Sequence, residues 1–310
     1  MALVLVLVLL VGGCAGLSVG RRALVHRLDR EGKRLHSEAG VWQLPGLLSA
    51  SECSELTSIW AERRNAVVES APPKISFDSR RLALGLTPLV LASSSAQTVL
   101  SHSVEHSFFF NLALQSLFVG AVLAASWALI NSNPALLASS RRSSKMIPLA
   151  VSTSKADEVS AALVRKACRL LGCSPEVLER PALTHYSSGE RFDAHQDASR
   201  DVAGDGWDAL GGQRLCTVIF YVNDCAAGGG ATVFDELGVS VQPRQGTALV
   251  FFPADDDEAG TLDPRMLHHA EAPLEGSEKY VVQVWQRQRR VPPPLGLTDE
   301  EVLYVSSLPP

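Results

Sequence analysis

Cysteine is sparse in this chain, six in 310 residues. No two stand in a C-x-x-C pair, which excludes a disulfide-built scaffold, a zinc knuckle and a thioredoxin-like site. A basic excess is missing too: 28 Lys and Arg face 33 Asp and Glu, a formal net charge of -5. Without a global positive field, nucleic acid is not an expected partner. No internal repeat is visible. What remains is ordinary globular material, 46% hydrophobic and 20% charged, of a length that suits one large domain or two small ones. The fold must rest on a hydrophobic core.

Charge is also absent from the first twenty residues, since no charged side chain precedes Arg21. This short apolar run ends in small residues and reads as a secretory signal over 1–20, cleaved after Ala15, or as a membrane anchor of the same span. A second uncharged stretch runs from Ser107 to Ser140, and its part 108–130 is long enough to cross a bilayer. Asn111, Gln115, Ser116 and Ser126 make it only moderately apolar, so a buried or irregular insert is the competing reading.

Around these stretches the pattern is that of folded protein. Residues 49–65 open with capping residues and place Cys53, Leu56 and Ile59 or Trp60 at helical spacing. Residues 154–172 carry Val159, Leu163, Ala167 and Leu170 on one stripe and end at Gly172, where a helix C-terminus favours glycine. After Pro181 the pattern changes to short strands, expected near 182–186, 192–197, 214–222, 231–234, 239–242, 247–253, 266–270 and 279–287. That count and spacing suit an antiparallel double-sheet jelly roll. The segment Gly228 to Gly230 reads as a permissive turn. Asp255 to Glu258 reads as a solvated loop, because one acidic run lacks the ligand spacing of a calcium site. Residues 291–310 read as a linker and a last capped turn at Thr298.

The chemistry concentrates in Tyr186-Ser-Ser-Gly-Glu-Arg-Phe-Asp-Ala-His-Gln-Asp197. On a strand, residues two apart share a face, so His195 and Asp197 can offer an imidazole nitrogen and a carboxylate oxygen to one ion. A histidine from a facing strand would complete a two-histidine, one-carboxylate triad, whose open positions suit Fe(II), a chelating cosubstrate and oxygen. Downstream, His269 precedes Lys279 by ten residues at the start of an alternating strand. A 2-oxoacid chelating the iron would leave its distal carboxylate in the barrel, where an unpaired charge is very costly, and the Lys279 ammonium would neutralise it.

These residues, together with Arg214 to Asn223, Gly228 to Phe234, Val241 to Gly246, Ala248 to Phe252 and the run from His269 through Lys279 to Trp285, resemble the catalytic domain of prolyl 4-hydroxylases. The resemblance extends to Val41–Leu56 and to Ser139–Ser144. It implies an α+β protein: a double-stranded β-helix (jelly roll) core over about 181–288, supported by N-terminal helices, within a domain of 39–66 plus 139–290. Residues 67–138 are a hydrophobic insertion relative to the family. A membrane crossing there would separate the first helix from the barrel, so an excursion, a membrane hairpin or translated non-coding sequence is expected. The resemblance further implies that His195, Asp197 and His269 bind iron, that Lys279 and Tyr186 bind 2-oxoglutarate with Thr217 against it, and that Trp285 lines the substrate pocket. His268 is the rival third ligand. Neighbours on a strand face opposite sides, and the ten-residue interval to lysine favours His269.

The implied reaction uses Fe(II), 2-oxoglutarate, O2 and L-ascorbate to hydroxylate peptidyl proline in proline-rich or collagen-like chains, in the lumen of the endoplasmic reticulum or Golgi. The same chemistry on a lysyl residue, a free amino acid or a small molecule, a silent peptide-binding module, and a membrane scaffold built on 107–130 are the alternatives. Cys168 and Cys173 are candidates to pair in an oxidising compartment. His185 is expected to face away from the pocket.

Overall fold

The computed structural model describes residues 12–64, 142–152, 157–257 and 259–309. These belong to one compact unit, residues 1–70 with 141–310, while 71–140 form a separate unit outside the described residues. The expected insertion at 67–138, with its stretch 108–130, and most of the apolar run 1–20 therefore lie outside what is described. Among the described residues no helix is long and apolar enough to cross a membrane.

The elements in chain order are α1 (Gly12–Glu31), β1 (Lys33–Arg34), β2 (Val41–Leu44), α2 (Ala50–Arg63), β3 (Lys145–Pro148), α3 (Glu158–Leu171), β4 (Ala182–Tyr186), β5 (Phe192–His195), β6 (Arg214–Tyr221), β7 (Thr232–Phe234), β8 (Val239–Val241), β9 (Ala248–Phe251), β10 (His268–Ala270), β11 (Lys279–Arg287) and α4 (Asp299–Ser307). The strands pair antiparallel into a seven-stranded sheet, β1-β2-β9-β6-β11-β4-β3, and a four-stranded sheet, β5-β10-β7-β8. This is the double-sheet jelly roll, α+β in class, that the short punctuated strands predict.

Both faces of the large sheet are buried, which is why its strands read as near-continuous apolar runs. Alternation sorts them. Tyr280, Val282 and Val284 of β11, Cys216, Val218 and Phe220 of β6, and Trp42 and Leu44 of β2 point outward into a core shared with the helices. Val281, Ile219, Tyr221, Leu249, Phe251 and Tyr186 point inward and meet Phe234, Val241 and Ala270 of the small sheet. The outer core includes Cys53, Leu56, Ile59 and Trp60 of α2 and Leu163, Ala167 and Leu170 of α3, the stripes read from the sequence. Burying side chains of this size stabilises the fold by about 1.5–3 kcal/mol each.

Local signals fix the helix ends. Ser49 caps α2 in a reciprocal box with Glu52, whose carboxylate also grips Lys166 of α3 at 2.6 and 2.7 Å. At the other end of α3, Gly172 adopts φ 68°, and the amides of Gly172 and Cys173 both donate to the Cys168 carbonyl at 2.8 and 3.1 Å. Cys168 and Cys173 meet at this cap as free thiols, with a hydrogen bond between their side chains. His185 packs between Trp60 and Tyr280 on the outer face, away from the barrel interior, with ring centroids 5.0 and 4.5 Å away.

Two segments beyond the expected domain limits are integral to it. Leu24 and Leu28 of α1 are buried in the outer core, Arg21 lies over the Phe252 ring, and Trp42 donates to Asp29 at 2.8 Å. At the other end, α4 is capped by Thr298 and Glu301, buries Val305, and presents Glu301 to the Arg180 guanidinium at 2.6 and 2.7 Å. Only helical packing reveals these contacts: α1 follows an apolar run without a helical stripe, and α4 follows a proline-rich segment.

Candidate metal and cosubstrate site

β5 and β10 run side by side with His268 opposite His195. Residues opposite each other in an antiparallel pair share a face, so both imidazoles enter the barrel, their ring centroids 4.3 Å apart. The chain bends after β5 and brings Asp197 under them, with its Oδ1 3.7 Å from Nε2 of His195. His195, Asp197 and His268 each offer a ligand atom within 4.8 Å of the others, the group of this kind among the described residues.

The tautomers are set by the backbone. Nδ1 of His195 lies 2.9 Å from the Asp193 carbonyl, and Nδ1 of His268 lies 2.9 Å from the Met266 carbonyl. A carbonyl only accepts, so each Nδ1 carries the proton and each Nε2 is left with a free lone pair directed at the centre. Burial, reinforced by the neighbouring His268, lowers the His195 pKa to about 4 and keeps its ring neutral. Burial alone would raise the Asp197 pKa, but His268, His195, Arg214 and the Thr217 hydroxyl outweigh it and hold the carboxyl at about 2. Two imidazoles presenting Nε2 and one ionised carboxylate form a donor set that suits Fe(II).

The third member is therefore His268, not His269. Alternation along β10 sends the His269 ring to the outer face of the small sheet, where Nδ1 lies 3.0 Å from Asp235. The ten-residue interval to Lys279 spans the connection between β10 and β11, so it does not say which histidine faces inward.

Lys279 opens β11 opposite Tyr186 and points inward. It is 1% exposed, and among the described residues no carboxylate lies within ion-pair distance of it; the Tyr186 and Tyr221 rings lie 5.0 and 5.9 Å from Nζ, and Cys225 and Glu271 act on it from farther off. Burial lowers its pKa to about 8. An ammonium so placed lacks an anion. Tyr186 is buried beside it. The turn before β7 makes room: Gly230 has φ 71°, and a Cβ there would lie 2.7 Å from the Cys225 sulfur and 3.4 Å from Lys279 Cδ.

Thr217 and Trp285 both engage the Asp197 carboxylate. They face each other across β6 and β11, and both donate to Oδ2 of Asp197, at 2.8 and 3.0 Å. Their polar groups are engaged by the carboxylate ligand and are not left free for cosubstrate or substrate. Sequence reasoning also missed three features. Thr232 is buried and accepts from the Tyr221 hydroxyl at 2.9 Å. The buried Glu179 carboxylate clamps Arg214 at 2.7 Å through two nitrogens and Arg287 at 2.6 Å. The Arg214 guanidinium lies 4.3 Å over the Trp285 ring. The alternation of β7 and β11 was the available signal for Thr232 and Arg287; nothing in the sequence links Glu179 to them.

With this geometry in place, residues 181–287 match the 2OG-Fe(II) oxygenase superfamily. The chain is 34% identical over 121 residues to the prolyl 4-hydroxylase subunit alpha-1 of Gallus gallus, which covers 39% of this chain and 23% of that protein. It is 29% identical over 125 residues to a putative prolyl 4-hydroxylase of Acanthamoeba polyphaga mimivirus, 40% of this chain and 50% of that protein. It thus spans half or less of the length of these curated relatives. A solved viral collagen prolyl hydroxylase of Paramecium Bursaria Chlorella virus-1 aligns over 80% of this chain and 96% of its own, at 19% identity and a TM-score of 0.46.

Proposed function

We propose that this oxygenase core hydroxylates peptidyl proline to 4-hydroxyproline, with release of succinate and CO2. The observation that carries the reading is the inward Lys279 ammonium, buried without a carboxylate, in the same barrel as the His195, Asp197 and His268 group. A dicarboxylic 2-oxoacid satisfies both: its keto and C1 carboxylate oxygens meet the open side of the metal, and its distal carboxylate meets Lys279. The names of the curated relatives point to proline as the residue modified.

Bound ferrous iron, together with 2-oxoglutarate, supplies the activation of O2, and L-ascorbate keeps the metal ferrous. The chain supplies the rest. His195 and His268 present Nε2 because their Nδ1 protons are held by backbone carbonyls. Asp197 contributes the negative charge. Lys279 and Tyr186 bind and orient the cosubstrate, and the apolar inner wall of Ile219, Leu249, Phe251 and Val281 keeps water from it. Proline-rich or collagen-like polypeptides are the proposed substrates, in the lumen of the secretory pathway, with membrane association through 1–20 or 108–130.

Succinate release by the full chain with Fe(II), 2-oxoglutarate, ascorbate and a proline-rich peptide, beside His195→Ala, tests the reading. Peptide-stimulated turnover abolished in the variant is the expected result. Turnover without peptide stimulation would overturn the proline assignment, and absence of metal binding would leave a silent peptide-binding module.

A further inference from the structure

The Asp197 carboxylate has two oxygens with different surroundings. Oδ2 accepts from the Thr217 hydroxyl at 2.8 Å and from the Trp285 indole at 3.0 Å. A carboxylate oxygen has two lone-pair positions, so two donors use both. Oδ1 receives no hydrogen bond; it faces His195 Nε2 at 3.7 Å and the Arg214 guanidinium at 4.0 Å. All the groups involved are nearly inaccessible to water: Asp197 is 3% exposed, Thr217 0% and Trp285 8%.

The two donors are themselves fixed. Thr217 and Trp285 are direct cross-strand partners in the centre of the large sheet, so their relative position is set by the β6–β11 ladder. The Trp285 ring is held from its face by Arg214, which is locked by two bonds to the buried Glu179, and Glu179 is locked in turn by Arg287. The line Glu179–Arg214–Trp285–Asp197 has a charge-assisted bond or a stacked ring at each step.

We propose that Thr217 and Trp285 are positioning residues that make Asp197 a single-oxygen metal ligand. By occupying Oδ2 they leave Oδ1, which faces His195 Nε2, as the oxygen free to bind a metal, so that the carboxylate would not chelate through both oxygens. The inference rests on the reading of this site as a metal centre. It replaces the cosubstrate and substrate contacts expected of these two residues with an outer-shell role toward the ligand.

The test uses the full chain and Co(II), whose absorption spectrum reports coordination number and whose titration gives affinity without turnover. Thr217→Val and Trp285→Phe keep shape and remove one donor each; Thr217→Ser keeps the hydroxyl. The expected result is Co(II) binding weakened about 10- to 100-fold in Thr217→Val and in Trp285→Phe, with altered spectra, and restored in Thr217→Ser. Because Trp285→Phe removes a donor without touching β6, its result stands even where Thr217→Val is poorly folded. Wild-type affinity and spectrum in both donor-deleted variants, with only the KM for 2-oxoglutarate or peptide raised, overturn the proposal and return the residues to direct contacts. If the unsubstituted chain binds Co(II) no better than His195→Ala, the metal-centre reading itself falls, and the inference falls with it.

Discussion

Both faces of the seven-stranded sheet are largely buried, but only the inward one carries a cluster of charged and polar groups. Along β11 the outward residues Tyr280, Val282 and Val284 lie under helices, whereas the inward residues Lys279, Gln283 and Trp285 carry an ammonium, an amide and an indole into the barrel. The outward face is held by packing, which tolerates any apolar group of the right size. Each inward polar group needs a named partner: Gln283 accepts from Thr184 at 3.1 Å, Trp285 donates to Asp197, and Lys279 waits for an anion from solution. A strand that is apolar to the eye can thus hold a reactive site on every second residue.

That contrast sets the size and kind of effect expected from each substitution. The largest is Glu179→Ala, which leaves the Arg214 and Arg287 guanidinium groups buried beside each other without their shared carboxylate. Breaking a buried pair in this way costs about 3–5 kcal/mol, and urea unfolding reads it as a lowered midpoint. On the outer side, Leu163→Ala leaves a cavity between α3 and the sheet and costs about 2–5 kcal/mol. Co(II) affinity per folded molecule stays unchanged there; a loss of affinity would show that the two faces are coupled.

Lys279→Met sharpens the comparison from the inside. Removing a buried amine with no partner holds or raises the melting temperature, while isothermal titration finds 2-oxoglutarate bound about 100-fold more weakly, near 2.7 kcal/mol. A fall in melting temperature without a change in affinity would place Lys279 among the structural residues. The smallest effect is that of pH. Burial puts the Lys279 pKa in the folded chain at about 8, below its ordinary value, so the ammonium is present below that pH and lost above it. Affinity for 2-oxoglutarate is therefore expected to be flat below pH 8 and to fall above it, by up to about tenfold per pH unit, a slope of roughly 1.4 kcal/mol. The same depressed pKa means that folding disfavours the charged form, so stability rises between pH 8 and the ordinary lysine range.

The jelly roll was legible because its strands are short, alternate in polarity and end at Gly, Asn and Asp; β4 and β11 fall where the pattern puts them. His195, Asp197, Lys279 and Tyr186 were legible for the same reason, since period two fixes which residues share a face. His268 was not, because a spacing to Lys279 crosses the connection between β10 and β11, where period two does not hold. The role of Thr217 was hidden differently: its partner lies 20 residues away, past the end of β5, and no local rule pairs a hydroxyl with a carboxylate across a barrel. The helices α1 and α4 were underestimated because their docking depends on tertiary contacts such as Trp42 with Asp29 and Arg180 with Glu301.

The central claim is that alternation along β10 turns His268 into the barrel beside His195 and Asp197 and His269 to the outer face. Anaerobic Fe(II) titration of the full chain beside His268→Ala and His269→Ala tests it most directly. One iron per chain in the unsubstituted protein and in His269→Ala, with none retained by His268→Ala, is the predicted result. Iron retained by His268→Ala and lost from His269→Ala would contradict it.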